Sequence, residues 1–198
     1  MRAFAEGLPE GEPGVRIADC RELGPTLAAA GSIGELAVEH LGEAARPVRI
    51  ILFDKTSDRN WSLGWHQDRT IWVRQRVETP GFANWTRKRG LQHVEPPFAL
   101  LERMVTLRVH LDEVGEDNAP LLVAPGSHLF GRVGEADIED TVRRCGTVVC
   151  TASAGDVWIY ATPILHASDR ARRPQRRRVL QVDYSADELP GGLEWAGV

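Results

Sequence analysis

Short runs in which apolar and polar positions alternate dominate the chain after residue 47. Residues 104–114 (MVTLRVHLDEV) place aliphatic side chains at every second position and polar ones, Arg108 among them, in between. A period of two is typical of a strand with one buried face. Residues 48–55 (VRIILFDK) are largely β-branched and apolar, which predicts a buried strand. The run at residues 177–185 (RRVLQVDYS) predicts a further strand that carries Arg177 at its start.

The first 47 residues have a different pattern. Residues 25–45 are rich in Ala, Leu and Glu, and Ser32 precedes Glu35 by three positions, which resembles a capping box. We therefore expect a helix over residues 33–44. Residues 7–14 are rich in Gly, Pro and Glu and are expected to form a coil.

Together these elements predict a mainly β protein with flanking helices. About eight short strands, separated by Gly, Pro, Asn and Asp turns, indicate a jelly roll, that is, a cupin-like double-stranded β-helix. No helix alternates regularly with the strands, and this disfavours a parallel βαβ layout. We expect a single domain in which the coil and helix of residues 1–47 pack on a barrel formed by residues 48–198.

Composition and charge are ordinary for a soluble globular protein, and they narrow the classes of partner. Hydrophobic residues make up 42% and charged residues 26% of the 198 residues, and the formal net charge is −4. Because a protein that neutralises many phosphates is usually basic, nucleic acid is not an expected partner. The three cysteines form no Cys-x-x-Cys motif, no signal peptide is evident, and no run approaches the ~20 apolar residues that span a bilayer. We expect a cytoplasmic monomer or homodimer that binds a small molecule and no membrane.

The tetrapeptide WHQD carries the first candidate chemistry. If it lies on a strand, His66 and Asp68 project from the same face. A His-x-Asp pair is also common as a simple hydrogen-bonded pair, so the pattern alone leaves both interpretations open. A metal site would need a further imidazole, which gives the two-histidine, one-carboxylate set of non-haem iron(II). His166 is the candidate, because it follows the apolar run DVWIYATPIL.

Six arginines lie within the nine positions from 170 to 178. Arg177 comes 11 positions after His166, near the start of the last strand, and a guanidinium group matches the two oxygens of a carboxylate. A dicarboxylate that binds iron at one end and Arg177 at the other would account for both features, which predicts 2-oxoglutarate. Ser168 could donate to the same carboxylate. The other five arginines are expected in a solvated turn and on the outer face of the strand; they are Arg170, Arg172, Arg173, Arg176 and Arg178.

The motifs WHQD, NAPLLVAPGSH and GDVWIYATPILHAS, with the downstream Arg-x6-Tyr, resemble the phytanoyl-CoA dioxygenase family of iron(II)/2-oxoglutarate oxygenases. The resemblance covers residues 48–184. It implies that His66, Asp68 and His166 bind the metal and that Arg177 binds the distal carboxylate of the cosubstrate. The stretches ILFDKTSDRNW and LPGGLEW further resemble a small bacterial branch of this family.

Two positions depart from the usual pattern of that family. Ala119 stands in an Asn-Ala-Pro turn where relatives more often carry Asn-Gly-Pro. Because alanine enters left-handed conformations only at a cost, we expect a local difference at this turn that does not touch the ligands. Arg108 stands where relatives often carry an aromatic or polar residue. It is a candidate for binding the cosubstrate or a substrate anion, and pairing with Asp112 is the alternative.

By this resemblance the expected cofactors are iron(II), 2-oxoglutarate and O2, and the expected reaction hydroxylates an unactivated C–H bond of a small organic substrate, with release of succinate and CO2. Asp68 bears on the reaction, because a 2-oxoglutarate halogenase needs that position vacant for chloride. The alternatives are a non-catalytic or differently metallated cupin-like binding barrel and, more distantly, a nucleic-acid-binding module. Arg177 argues against the first, since such a barrel needs no carboxylate clamp at that spacing. The substrate stays open, and residues 70–97 are a candidate lid or binding wall.

Overall fold

The computed structural model describes residues 1–8, 14–18 and 20–197 of the chain. Most of the coil expected at residues 7–14 lies outside them. The strands are β1 (Val15–Ile17), β2 (Arg46–Lys55), β3 (Leu63–His66), β4 (Ile71–Val73), β5 (Ala83–Lys88), β6 (Leu91–Glu95), β7 (Val105–His110), β8 (Leu121–Val123), β9 (Val148–Cys150), β10 (Val157–Ala161), β11 (His166–Ser168) and β12 (Arg177–Ser185). The α-helices are α1 (Arg2–Glu6), α2 (Gly24–Leu27), α3 (Gly34–Leu41), α4 (Phe98–Leu101) and α5 (Ile138–Cys145), and short 3-10 helices span Ser127–Phe130 and Glu135–Asp137.

Two antiparallel sheets form the body of the protein. One has the strand order β1-β2-β12-β7-β10 and the other the order β3-β11-β8-β9, while β4, β6 and β5 form a smaller third sheet. The chain crosses between the two larger sheets from β7 to β8, from β9 to β10 and again on either side of β11. Side chains of the two sheets meet in the interior, where Lys55 on β2 bonds Ser168 on β11 at 3.1 Å. The double-stranded β-helix that the sequence predicts is confirmed.

The outer face of the five-stranded sheet packs against the N-terminal helices. Leu107 and Val109 of β7 share one apolar cluster with Leu27 of α2 and Ala37 of α3. The hydroxyl group of the buried Tyr184 also donates to the carbonyl oxygen of Leu27 at 3.0 Å. The opposite face of this sheet carries polar side chains and lines the interior cavity. The alternation in β7 therefore places its apolar residues in the core and its polar residues on the side of the cavity.

Several elements differ from the sequence-based expectations. The helix expected at residues 33–44 is α3, which ends at Leu41, and no side chain caps its first turn, so the expected capping box is wrong. Residues 70–97, the candidate lid or binding wall, contain β4 and the hairpin of β5 and β6, strands that were not predicted and that pair in one sheet. Helix α5 lies in an acidic segment for which no helix was expected; Ile138 and Val142 pack on an apolar cluster there. No helix among the described residues is long and apolar enough to cross a bilayer.

Candidate active site

His66, Asp68 and His166 converge where β3 pairs with β11. His66 is the last residue of β3 and faces His166, the first residue of β11, in the antiparallel register. Their ring centroids lie 4.3 Å apart. Asp68 lies two residues beyond the end of β3, not on the strand as expected, yet its carboxylate still reaches the two rings. One candidate ligand atom from each of the three residues lies within 4.8 Å of the others.

Backbone carbonyl groups orient both imidazoles. Nδ1 of His66 lies 2.8 Å from the carbonyl oxygen of Gly64, and Nδ1 of His166 lies 2.9 Å from that of Ile164. In the tautomer that these contacts favour, Nδ1–H donates and Nε2 keeps its lone pair for a metal. Burial lowers the pKa of His166 to about 4, although Asp68 opposes this effect. The ring is therefore neutral near pH 7, which is the form that binds a metal.

Asp68 is held by two donors from the facing sheet. Nη2 of Arg49 donates to its Oδ2 at 2.6 Å, and Nε2 of Gln181 donates to the same oxygen at 3.1 Å. Burial acts to raise the pKa of Asp68, but the charge of Arg49, the two neighbouring imidazoles and the hydrogen bond from Gln181 together hold this pKa well below its usual range. Asp68 is thus ionised, and among the described contacts Oδ1 accepts no hydrogen bond and remains available to a cation.

A second carboxylate lies behind Arg49. Nε of Arg49 donates to Asp183, whose other oxygen accepts from the hydroxyl group of Thr106 at 2.9 Å. All of these side chains are buried or nearly so. Arg49 is therefore fixed between two carboxylates, and it fixes Asp68 in turn. Two imidazoles and one oriented carboxylate are the donor set that iron(II) takes in non-haem oxygenases, so the residues present fit this metal.

Arg177 lies in the same cavity and is only 2% exposed. Its Nη1 donates to the carbonyl oxygen of Ala119 at 2.8 Å, while its Nε has no hydrogen-bond partner among the described residues. Burial, followed by the charge of Arg108, lowers the pKa of Arg177 to about 9. A buried guanidinium group with an unsatisfied donor is a site for an anion.

Lys55 and Ser168 complete this corner of the cavity. In the antiparallel register of β2 and β12, Lys55 lies opposite Arg177. The ammonium group of Lys55 donates to the hydroxyl group of Ser168 at 3.1 Å and to the carbonyl oxygen of Asp169 at 2.9 Å. The Ser168 hydroxyl group lies 3.3 Å from the Ala119 carbonyl oxygen. Lys55 is buried at the cavity wall.

Arg108 also faces the cavity and is not paired with Asp112. Its Nη1 donates to Oε1 of Gln181 at 2.9 Å, and its guanidinium group lies 5.3 Å from the ring centroid of Phe53. Asp112 instead accepts from Arg178 at 2.7 Å. The alternative in which Arg108 pairs with Asp112 is therefore wrong. Arg108 lies between Gln181, which donates to Asp68, and the corner that contains Arg177.

The rest of the arginine cluster is less uniform than expected. Arg178 is 6% exposed and forms ion pairs with Asp112 and Glu6, so its assignment to a solvated face is wrong. Arg176 is exposed at the surface and pairs with Asp54 at 3.0 Å. The remaining members lie exposed in the turn, as expected; they are Arg170, Arg172 and Arg173.

A family model described as "Phytanoyl-CoA dioxygenase (PhyH)" matches residues 28–179. Among solved structures, EvdMO1 is 23% identical, with a TM-score of 0.54, and the match covers 79% of this chain and 30% of that one. EctD from S. alaskensis with 2-oxoglutarate and 5-hydroxyectoine is 21% identical, with a TM-score of 0.64 and coverages of 94% and 60%. HygX from Streptomyces hygroscopicus with nickel, 2-oxoglutarate and hygromycin B is 15% identical, with a TM-score of 0.60 and coverages of 93% and 76%.

The chain thus spans less than two thirds of the EvdMO1 and EctD structures, and at these identities the likeness concerns the fold. A search of curated protein sequences finds no match. The family match is the stronger evidence, because it extends over most of the chain and includes His66, Asp68, His166 and Arg177. The chain belongs to the phytanoyl-CoA dioxygenase family, whose cofactors are iron(II), 2-oxoglutarate and O2.

Proposed function

We propose that this protein is an iron(II)- and 2-oxoglutarate-dependent dioxygenase that hydroxylates an unactivated C–H bond of a small organic substrate, with release of succinate and CO2. One observation carries the proposal. A single cavity of about 580 Å³ is lined both by His66, Asp68 and His166 and by the buried Arg177. A metal-binding triad alone would suit many barrels, whereas a buried guanidinium group beside it suits a dicarboxylate cosubstrate.

The metal would be held by Nε2 of His66, Nε2 of His166 and Oδ1 of Asp68. When bound there, iron(II) supplies the activation of oxygen, coupled to the oxidative decarboxylation of 2-oxoglutarate. Arg49 and Gln181 hold the Asp68 carboxylate in place through its other oxygen. Because Asp68 occupies the position that a halogenase leaves open for chloride, hydroxylation is the favoured outcome.

The distal carboxylate of 2-oxoglutarate would bind in the corner formed by Arg177, Lys55 and Ser168. These residues offer two cationic donors and a hydroxyl group within one buried corner. The unbonded Nε of Arg177 gains a partner when a carboxylate arrives, which removes the free-energy penalty of a buried unsatisfied donor. The apolar Phe53 and Leu121 line the cavity as well and limit the access of water to the reacting groups.

An anaerobic titration of the iron(II)-loaded protein with 2-oxoglutarate tests the proposal. Chelation of the cosubstrate is expected to produce a weak visible charge-transfer band. Arg177→Gln removes the charged partner of the distal carboxylate, so it is expected to need at least about tenfold more 2-oxoglutarate for the same band. Arg176→Gln removes a neighbouring exposed arginine and serves as the matched control; its titration should follow that of the wild type.

The absence of the band in wild-type protein with iron bound would contradict the proposal and favour a barrel with a structural metal. Equal titrations of Arg177→Gln and Arg176→Gln would contradict the assigned role of Arg177. Zinc binding by both variants, measured in parallel, shows whether the triad has kept its structure.

A further inference from the structure

Arg108 is a buried cationic residue to which the proposed function assigns no ligand. It lies on β7, lines the same cavity as the metal-binding triad and is 4% exposed. Its Nε has no hydrogen-bond partner, and its guanidinium group pairs with no carboxylate among the residues that the structure describes. Arg49, by contrast, lies between the carboxylates of Asp68 and Asp183. A buried guanidinium group without a counter-ion is unfavourable, so it marks a place where an anion is stabilised.

A hydrogen-bonded glutamine holds this guanidinium group at the metal end of the cavity. Nη1 of Arg108 donates to Oε1 of Gln181 at 2.9 Å, and Nε2 of Gln181 donates to Asp68 at 3.1 Å. A single amide group therefore lies between the guanidinium group of Arg108 and a candidate metal ligand. An anion that binds both the metal and Arg108 needs to be no larger than one carboxylate.

Arg177 lies at the opposite end of the cavity. Arg108 is directly opposite Gln181 in the register of β7 and β12, whereas Arg177 begins β12 four positions earlier. At the rise of an extended strand, four positions correspond to about 13 Å. The corner of Arg177 already offers a second cation, Lys55, and a hydroxyl group to one carboxylate. The two arginines are thus placed to bind different carboxylates.

The two guanidinium groups also act on each other across the cavity. Burial, followed by the charge of Arg108, lowers the pKa of Arg177 to about 9. A dianion that extends from one arginine to the other offsets this repulsion at both ends. The cosubstrate of the proposed function is such a dianion, because it carries a carboxylate at each end of a short chain.

We propose that Arg108 binds the metal-proximal carboxylate of 2-oxoglutarate, so that a different arginine binds each end of the cosubstrate. This inference rests on the proposed function and assigns a further binding residue to it. A 2-oxo acid that chelates a metal uses one oxygen of this carboxylate, and the other oxygen accepts from Arg108. Arg108 stands where relatives often carry an aromatic or polar residue, so the second arginine is expected to distinguish this chain within its family.

The test uses 2-oxopentanoate, which keeps the 2-oxo acid end of 2-oxoglutarate and carries a methyl group in place of the distal carboxylate. Anaerobic iron(II)-loaded protein is titrated with each ligand, and the visible charge-transfer band reports binding. Arg108→Gln is expected to need about tenfold more of both ligands, since both carry the proximal carboxylate. Arg177→Gln is the matched comparison; it should weaken binding of 2-oxoglutarate and leave that of 2-oxopentanoate unchanged.

Zinc affinity and the conservative variant Arg108→Lys separate binding from a merely structural effect on Gln181. Lysine keeps the charge without the guanidinium fork, so Arg108→Lys is expected to bind 2-oxopentanoate more tightly than Arg108→Gln does. If Arg108→Gln loses zinc affinity and 2-oxopentanoate affinity by the same factor, and lysine restores neither, Arg108 only positions Gln181 and the inference is wrong.

Two other outcomes would overturn the inference. If Arg108→Gln binds 2-oxopentanoate as the wild type does but binds 2-oxoglutarate more weakly, Arg108 acts on the distal carboxylate. If neither titration changes, Arg108 does not bind the cosubstrate at all and is left for a substrate anion. The proposed function fails separately, when the wild type with iron bound gives no band with 2-oxoglutarate.

Discussion

The ammonium group of Lys55 lies in a corner with few compensating charges. Burial, followed by the nearby charges of Arg177 and Arg108, lowers its pKa to about 7, while Asp169 opposes them. Near neutral pH the free protein is therefore a mixture of protonated and neutral Lys55. A carboxylate that binds beside this group favours the protonated form, so binding of the carboxylate and of a proton at Lys55 are coupled.

The affinity for 2-oxoglutarate should therefore depend on pH. Below about pH 7 Lys55 is already protonated and affinity is highest; as the pH rises above this value, binding must draw a proton to Lys55, and affinity falls by up to about tenfold per pH unit. Calorimetric titration of zinc-loaded protein with 2-oxoglutarate between about pH 6 and about pH 9 measures this trend. In Lys55→Met the decline should largely disappear; a variant that keeps the wild-type profile would assign the coupling to another group.

Ala119 has a larger role in the site than its sequence position suggested. It has a φ of 53°, a left-handed conformation that glycine adopts more easily, in agreement with the expected local difference at this turn. The turn was expected not to touch the metal ligands, and its described contacts at Ala119 are with other residues of the cavity. The carbonyl oxygen of Ala119 accepts hydrogen bonds from both Arg177 and Ser168. The unusual backbone conformation thus orients the residues that would bind the cosubstrate.

At the scale of elements, the segment between β3 and β4 is held by one side chain. Gln67 points away from the metal ligands on either side of it, and its Nε2 donates to the carbonyl oxygens of Gly131 at 3.0 Å and Pro163 at 2.8 Å. Its Oε1 accepts from the backbone N–H of Val133 at 3.0 Å. This irregular stretch therefore has a fixed path even though it forms no strand, and that path brings Asp68 to His66.

Gln67→Leu should loosen this segment. The substitution leaves three buried backbone groups without their partner, so we expect a loss of about 2–4 kcal/mol in the free energy of unfolding and weaker binding of zinc. Urea unfolding and zinc titration measure the two effects. Gln175→Leu, at an exposed position, is the control and should change neither. If Gln67→Leu destabilises the protein but leaves its zinc affinity unchanged, the path of this segment does not control the geometry of the triad.

At the scale of the whole molecule, the metal site joins the two larger sheets. Its histidines belong to the four-stranded sheet, whereas Arg49 and Gln181, which hold Asp68, belong to the five-stranded sheet. The sheets also meet at Lys55 and Ser168. A ligand that binds across such an interface stabilises the folded protein as a unit, because the unfolded chain does not present the same set of donors.

Metal binding should therefore raise the melting temperature of the whole protein. At a zinc concentration of about 100 times the Kd, the added stability is about 2.7 kcal/mol, which for a chain of this size corresponds to roughly 5–10 °C. Calorimetry with and without a chelator measures the shift. Asp68→Ala should lose most of it, whereas the exposed Asp58→Ala should retain it. An unchanged melting temperature on addition of zinc to the wild type would mean that the triad does not bind the metal tightly in the folded protein.

The sequence by itself determined the elements with a strong local pattern and the residues with a distinctive spacing. The period of two in β7 predicted which side chains face the core, since alternation along a strand requires no knowledge of its neighbours. The motifs, through their resemblance to a known family, identified His66, Asp68, His166 and Arg177, which the structure brings to one cavity. The hairpin of β5 and β6 was missed because its residues are mostly polar and exposed, so the sequence shows no hydrophobic alternation there. Backbone pairing within the sheet that includes β4 stabilises the hairpin instead.

Only the tertiary structure decided which partners the polar side chains have. Arg49, Gln181 and Lys55 occupy ordinary strand positions, and their roles arise from the register of β2 and β12 and from the packing of one sheet on the other. The assignment of Arg178 to a solvated face was wrong for a related reason. An arginine that pairs with a carboxylate distant in the sequence has the same local sequence pattern as an arginine exposed to water. A local pattern fixes the face on which a side chain lies, whereas its electrostatic environment depends on segments more than a hundred residues away, such as Asp68 for Gln181 and Ser168 for Lys55.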